Sequence, residues 1–202
     1  MSMRISLYVL LLFLPASLAH AQDQASNCVI QQMAIDAALG STDAQYNLGV
    51  EFYGGRRVSR DYANAANLWR KASDAGSVPA SNDLGFLKYY GRPGVERDYA
   101  EGLRLWRFAA ERGFAESQVH IAHAYSDGRL LKIDFIEAYA WAKAAKHNAH
   151  KMTELMDDPQ IDSAIAADAD ELLAEVSKKL SAGELAQAEK TATEYIARFL
   201  PQ

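Results

Sequence analysis

Four histidines beyond position 20 fall into two pairs, His120 with His123 and His147 with His150. The i, i+3 spacing places both rings of a pair on one face of a helix, where they could share a divalent cation. A tight site needs three or four ligands. The two pairs lie in different segments, and beyond Asp127 no further donor is evident. They are read as surface or groove histidines, and no metal is expected. Cys28 is the one cysteine and sits near the start of the folded part. A nucleophile there would be poorly positioned, so an unpaired or intermolecularly bonded thiol is the reading. No His-Glu-x-x-His helix, Gly-x-Ser-x-Gly elbow, Ser-x-x-Lys pair, phosphate-cradling loop or dinucleotide glycine pattern occurs. Catalytic residues and cofactors are therefore both expected to be none.

The surrounding composition narrows the class. The 202 residues carry 21 Lys+Arg against 26 Asp+Glu, a net charge of -5 at pH 7. A protein that coats nucleic-acid phosphates needs a cationic surplus, so no nucleic-acid partner is expected. Half the residues are hydrophobic, enough to bury a core. A single cysteine closes no intrachain disulfide, which leaves packing to hold the fold.

Residues 1–21 have the layout of a signal peptide. Arg4 supplies the positive start, Ile5 to Leu14 an apolar run, and Ala19-His20-Ala21 small residues at the two positions that a signal peptidase reads. The run is short for a bilayer span, which needs about 20 apolar residues, and no stable membrane insertion is expected. Ala25-Ser26-Asn27 before Cys28 does not resemble a lipoprotein signal. Cleavage before Gln22 leaves 181 residues, exported to an oxidising compartment, a bacterial periplasm or alternatively the exterior.

Those residues repeat. Leu48-Gly49, Leu84-Gly85 and Ile121-Ala122 are spaced by 36 and 37 residues. Behind each pair follow Gly55, Gly91 and Gly128, then Asp61, Asp98 and Asp134, then Trp69, Trp106 and Trp141. The glycines should end one helix by taking positive φ, as should Gly76 and Gly113 for the next, with Asn148-Ala149 in that place in the third unit. The aspartates should cap the second helices, with Glu101 and Glu137 as reciprocal acids at N3. The small residue after each Leu or Ile should let the partner helix approach closely. Two short helices cannot bury both their faces alone, and stacking in register covers them. The fold class expected is all-α, an α/α solenoid of three helix-turn-helix units at about 40–76, 77–113 and 114–149. Residues 22–39 form an N-terminal segment and capping helix. Residues 150–202 form C-terminal capping helices, with a break at Asp157-Asp158-Pro159 and a Ser181-x-x-Glu184 capping box.

The pattern Leu48-Gly49-x-x-Phe52-x-x-Gly55, continuing through Asp61, Ala65, Trp69 and Ala72 to Gly76, resembles the Sel-one-like repeat, a relative of the tetratricopeptide repeat. The resemblance covers about 40–149 in three copies. It departs at Gly91-Arg92-Pro93-Gly94-Val95, which has one extra residue, at Lys88 and at Leu130. It implies a right-handed superhelix that binds proteins without a cofactor, often in the bacterial envelope. A cysteine-rich branch of the family is associated with weak β-lactam hydrolysis, but its paired cysteines are absent here. Weak β-lactam or cell-wall hydrolysis is the alternative function.

In such solenoids the first helix of each unit lines the concave face. Residue by residue, the resemblance implies a groove made by Asp43, Tyr46, Asn47, Val50 and Tyr53, then Asn82, Asp83, Phe86, Tyr89 and Tyr90, then Glu116, Val119, His120, His123, Ser126 and Asp127. Tyrosines beside Asn and Asp suit an extended peptide, because rings supply stiff contact area and amides pair with a peptide backbone. The competing reading is that several of these rings pack as core. The expected function is a non-catalytic scaffold, acting as a monomer, that binds a protein or extended peptide in regulation, assembly or immunity. Arg56, Arg57, Arg60, Arg92 and Arg97 fall in successive turns, and a solvated ridge is preferred over a basic docking edge.

Overall fold

The computed structural model describes residues 16–129, 131–156 and 159–200, with side chains from Asn27 onward except at 150–162. Most of the expected signal peptide, the Asp157-Asp158 break and the His150 side chain lie outside the described residues. Among those described, the regular structure is nine helices: α1 Ala16–Ala38, α2 Thr42–Gly54, α3 Tyr62–Asp74, α4 Val78–Tyr90, α5 Tyr99–Ala110, α6 Ala115–Asp127, α7 Phe135–Met156, α8 Pro159–Ser177 and α9 Ala182–Arg198. None of these is long and apolar enough to cross a membrane.

The boundaries follow the local chemistry. Asp61 and Asp98 accept the backbone N–H of Asn64 and Glu101, and Asp134 accepts those of Ile136 and Glu137. Each of these aspartates also donates its own N–H to the preceding helix, at Phe52, Lys88 and Tyr125. That bond folds the loop back, and it displaces the reciprocal acid expected at Asp98. Glu101 turns away to Arg104 and Arg70 instead. Gly55, Gly91 and Gly128 take φ of 67, 72 and 67° and end the first helices. Ser181 and Glu184 form a complete capping box.

One expectation fails at the third unit. Asn148 does not terminate a helix; α7 runs through it to Met156. Its side chain is fully buried, and the amide donates to Gln118 Oε1 at 3.1 Å and to the Phe199 carbonyl at 2.7 Å. The residue that looked like a stop is the peg that fastens the last helix.

The solenoid is held by Trp-on-glycine packing. A Cβ on Gly49 would lie 2.4 Å from Trp69 Nε1, and one on Gly85 would lie 2.7 Å from the Trp106 ring. The glycine thus makes room chiefly for an indole rather than for a neighbouring backbone. Each indole N–H then donates to a carbonyl of the same first helix, Trp69 to Tyr46 and Trp106 to Asn82. Both rings are buried, each contributing on the order of 3 kcal/mol. Ala122 stands in the glycine place in the third unit, and Trp141 stacks on Phe199 and Tyr195 of the C-terminal cap.

Polar side chains three residues before the Leu or Ile stitch each unit to the one before. Gln45 donates to the Ala37 carbonyl, Gln118 to the Ala110 carbonyl, and Ser81 pairs with Ser73. All three are buried and satisfy groups at a preceding helix end. Helices pair as α2 with α3, α4 with α5 and α6 with α7, and successive units join through α3 with α4 and α5 with α6. α8 covers α7 and α6, and α9 packs on α7. The first helices α2, α4 and α6 do not pack closely on one another, which leaves space between them.

Candidate functional site

That space is a cavity of about 380 Å³ lined by Tyr46, Val50 and Tyr53 of α2, Trp69 of α3, Asn82, Asp83 and Phe86 of α4, and Glu116 of α6. All three repeat units contribute. Successive turns of α2 present Tyr46, Val50 and Tyr53 on one face because the spacing is three to four residues. Trp69 forms the floor, with Tyr53 tilted against it at 5.5 Å between ring centroids and braced in turn by Tyr62 at 5.4 Å.

Asn82 organises the polar wall. It is 2% exposed, its carbonyl takes the Trp106 indole N–H, and its Oδ1 accepts the Ser117 hydroxyl at 2.7 Å. With the oxygen occupied, the amide nitrogen is oriented to donate both ways, to Asp83 Oδ1 and to Glu116 Oε2, each at 3.1 Å. One amide therefore holds two carboxyl groups from different repeats side by side. Burial first and the Glu116 charge second raise the Asp83 pKa to about 7, with hydrogen bonds from Asn82 and Tyr46 offsetting part of the shift. Burial also raises Glu116, against the Asn82 hydrogen bond. The Tyr46 phenol is held well above its usual value, first by burial and then by the Asp83 charge.

The other groove residues are placed differently. Tyr89 is 2% exposed and packs against Trp106 at 4.7 Å, so it belongs to the core and not to an open face. Position 89 turns inward because Gly102 of α5 leaves room for it: a Cβ there would lie 2.8 Å from that of Tyr89. Val119 is likewise buried. Asn47, Asp43 and Asp127 are exposed but do not line the cavity, and Ser126 is half-buried. Tyr90 is exposed at its edge and leans on Phe86 at 4.8 Å. His120 stacks on Trp106 at 4.5 Å with Nε2 facing Glu116 at 3.9 Å, and burial lowers its pKa to about 4, assisted by His123. It is neutral at ordinary pH. His123 is bonded to Asp168 of α8 at 3.0 Å, so the C-terminal cap engages it. The i, i+3 pair thus splits between two environments.

Among the described residues no three His, Cys, Asp or Glu side chains converge as metal ligands. The turn arginines are largely tied to their own loops. Arg57 pairs with Glu51, Arg60 donates to the Gly54 carbonyl, and Arg92 and Arg97 lie over Phe86 and Tyr99 at 5.2 and 5.0 Å. Sequence reasoning placed Asp83 and Glu116 on the same face without seeing that they meet. The available signal was their positions, one and five residues before the Leu or Ile of successive units. Trp69, in the sequence only a recurring large residue of the repeat, also supplies the cavity floor with its edge.

Comparison with known proteins identifies three copies of the Sel1 repeat, at residues 42–77, 78–114 and 115–150. The chain is similar in structure to c5321, a protective antigen present in uropathogenic Escherichia coli strains displaying an SLR fold, with a TM-score of 0.70 and 27% identity. The match covers 84% of this chain and 33% of that one, so this chain spans about a third of that antigen's length. A Sel1 repeat protein from Oxalobacter formigenes shares the fold, with a TM-score of 0.54, 20% identity, and coverage of 80% of this chain and 78% of the other. No curated protein matches in sequence.

Proposed function

Because the chain belongs to the Sel1 repeat family, whose members are generally scaffolds for protein–protein interaction, we propose that it is a non-catalytic binding protein of the bacterial envelope. It holds a protein or extended peptide along the face formed by α2, α4 and α6. The observation that carries this reading is the cavity to which all three repeats contribute, with aromatic walls and hydrogen-bonding groups together. Rings give stiff contact area at low entropic cost, and polar groups fix the orientation of an extended chain. Export rests on Arg4, the Ile5 to Leu14 run and the Ala19-His20-Ala21 site, and the periplasm is the compartment assigned, as part of regulation, assembly or immunity.

The test is site-specific photocrosslinking in intact cells from position 47, which is exposed beside the cavity, followed by mass spectrometry. One dominant adduct should form, and it should disappear when Tyr53→Ala and Phe86→Ala are combined in a chain whose helical circular dichroism is unchanged. An adduct indifferent to that double change would move the binding surface elsewhere.

Hydrolysis of a β-lactam or cell-wall substrate is the second reading, and one feature favours it: a carboxyl with a pKa of about 7 beside a second acid is the makeup of an acid–base pair. Turnover of a chromogenic cephalosporin or of purified cell wall by the parent chain, lost in Asp83→Asn, would replace the binding reading.

A further inference from the structure

Among the described residues, no charged cation pairs with the two carboxyl groups at the cavity. The arginines of the neighbouring loop and helices are engaged elsewhere. Arg92 donates to the Gly91 carbonyl and lies over Phe86, and Arg70 and Arg104 are paired with Glu101. Among the described residues the basic group that faces Glu116 is His120, which is neutral, and its Nε2 is buried without a hydrogen-bond partner 3.9 Å from that acid. No cation is among the lining residues. A carboxylate has room for about four hydrogen bonds. Asn82 and Tyr46 supply two to Asp83, and Asn82 supplies one to Glu116. Acceptor capacity is therefore left over on both.

Placing like charges together in a partly desolvated site costs stability unless something offsets it. Here the fold builds the arrangement with effort, using a fully enclosed Asn82 whose own oxygen is locked by Ser117 so that its nitrogen must face both acids. Around them stand Tyr46, Tyr53, Phe86 and the Trp69 edge, whose ring faces attract a cation and whose surfaces suit an aliphatic stem. A volume of about 380 Å³ takes one long side chain with room to spare. An anion would be repelled, and a purely apolar group would leave both acids desolvated without compensation.

We propose that this cavity receives the side chain of one lysine or arginine of an extended peptide, the cationic head between Asp83 and Glu116 and the stem against Tyr46, Tyr53 and Phe86. The inference rests on the groove reading above and specifies what the groove selects. Specificity arises because the missing positive charge is supplied by the ligand alone, so a neutral residue at the same place leaves the two acids unpaired.

The test is selection of random twelve-residue peptides displayed on phage against the purified chain spanning residues 22–202. Winners are then synthesised with acetylated N-termini and amidated C-termini. Winners should share one basic residue. Its replacement by norleucine should weaken binding at least about tenfold. The Asp83→Asn, Glu116→Gln double variant should lose about the same factor for the parent peptide and almost nothing for the norleucine peptide, with its helical circular dichroism retained. Winners without a basic residue, or an unchanged affinity with norleucine, would overturn the cation assignment while the groove reading survives through its dependence on Phe86. Winners that bind only with a free N-terminal amine would transfer the site from side chain to chain terminus and overturn it as stated. A selection that yields no binder sinks both readings.

Discussion

Replacing Asp83 by asparagine should stabilise the free protein at alkaline pH and leave it nearly unchanged at pH 4. Burial and the neighbouring Glu116 raise the Asp83 pKa from 3.8 to about 7. Between those values the folded state holds a proton that the unfolded chain has released, so the unfolded state binds fewer protons and stability falls as pH rises. Each pKa unit corresponds to about 1.36 kcal/mol. The full span gives a ceiling of about 4 kcal/mol above pH 7, and about 2 kcal/mol is the working expectation because solvent reaches the open mouth of the cavity. Asparagine keeps an oxygen to accept from Asn82 and turns its amide toward the Tyr46 hydroxyl, which can accept, so no polar group is orphaned. For a domain of this size about 2 kcal/mol corresponds to roughly 4–8 °C in Tm. The assay is thermal unfolding of parent and variant, followed by circular dichroism at intervals from pH 4 to pH 8. The difference in Tm should open in favour of the variant as pH rises and level off above pH 7. A flat difference, or one that favours aspartate as pH rises, would show that the carboxylate is compensated within the free protein. The argument for an external cation would fail with it.

Four other outcomes follow from the packing and the caps. Glu101 behaves oppositely to Asp83: hydrogen bonds from Arg104 and Arg70 hold its pKa at about 2, so its contribution is present above pH 4.5 and lost as pH falls toward 2; Glu101→Gln should flatten the acid limb by about 1 kcal/mol after allowance for solvent screening, measured by urea unfolding at pH 3 and pH 6. Gly85→Ala should lower stability by about 1–3 kcal/mol despite the better helix propensity, because the new Cβ meets the Trp106 ring at 2.7 Å and the Gly102 carbonyl at 3.2 Å; a gain in Tm would contradict the Trp-on-glycine account. Asn148→Ala should cost about 2–4 kcal/mol by orphaning Gln118 Oε1 and the Phe199 carbonyl, and hydrogen exchange should show α9 opening before the repeats; uniform exchange across the chain would argue against the peg. Asp61→Ala should cost about 1 kcal/mol through loss of the α3 cap, with Asp61→Asn retaining most of it in the same melting experiment.

If Asp83→Asn both strengthens the fold and weakens peptide capture, the two acids are kept for binding at the expense of stability. Such opposition is expected wherever a site is prepared for a charge that arrives only with its ligand. Asn82 then acts as the positioning residue. Its loss should disturb both carboxyl groups at once, whereas loss of either acid alone leaves the other in place.

Repetition at 36 and 37 residues, the glycine stops and the aspartate caps were readable from the chain because each is enforced locally, by positive φ or by a side chain that satisfies a free N–H. They determined that the protein is a stack of helix pairs, and the family geometry then ordered Tyr46, Val50, Tyr53, Asn82, Asp83, Phe86 and Glu116 along one side. What tertiary structure alone decided is which of the ordered residues meet. Tyr89 and Tyr90 are adjacent in sequence, yet one is sealed against Trp106 and the other leans on Phe86 at the surface. Asn148 looked like a helix end and became a buried fastener once α9 folded across α7. Asp83 and Glu116 are separated by nearly one whole repeat, and their pairing depends on the rise between units and on an amide whose orientation is set by Ser117 from the next unit. Periodicity fixes direction around a helix to within a turn; contact between side chains depends on ångström-scale offsets between helices, and those come from packing.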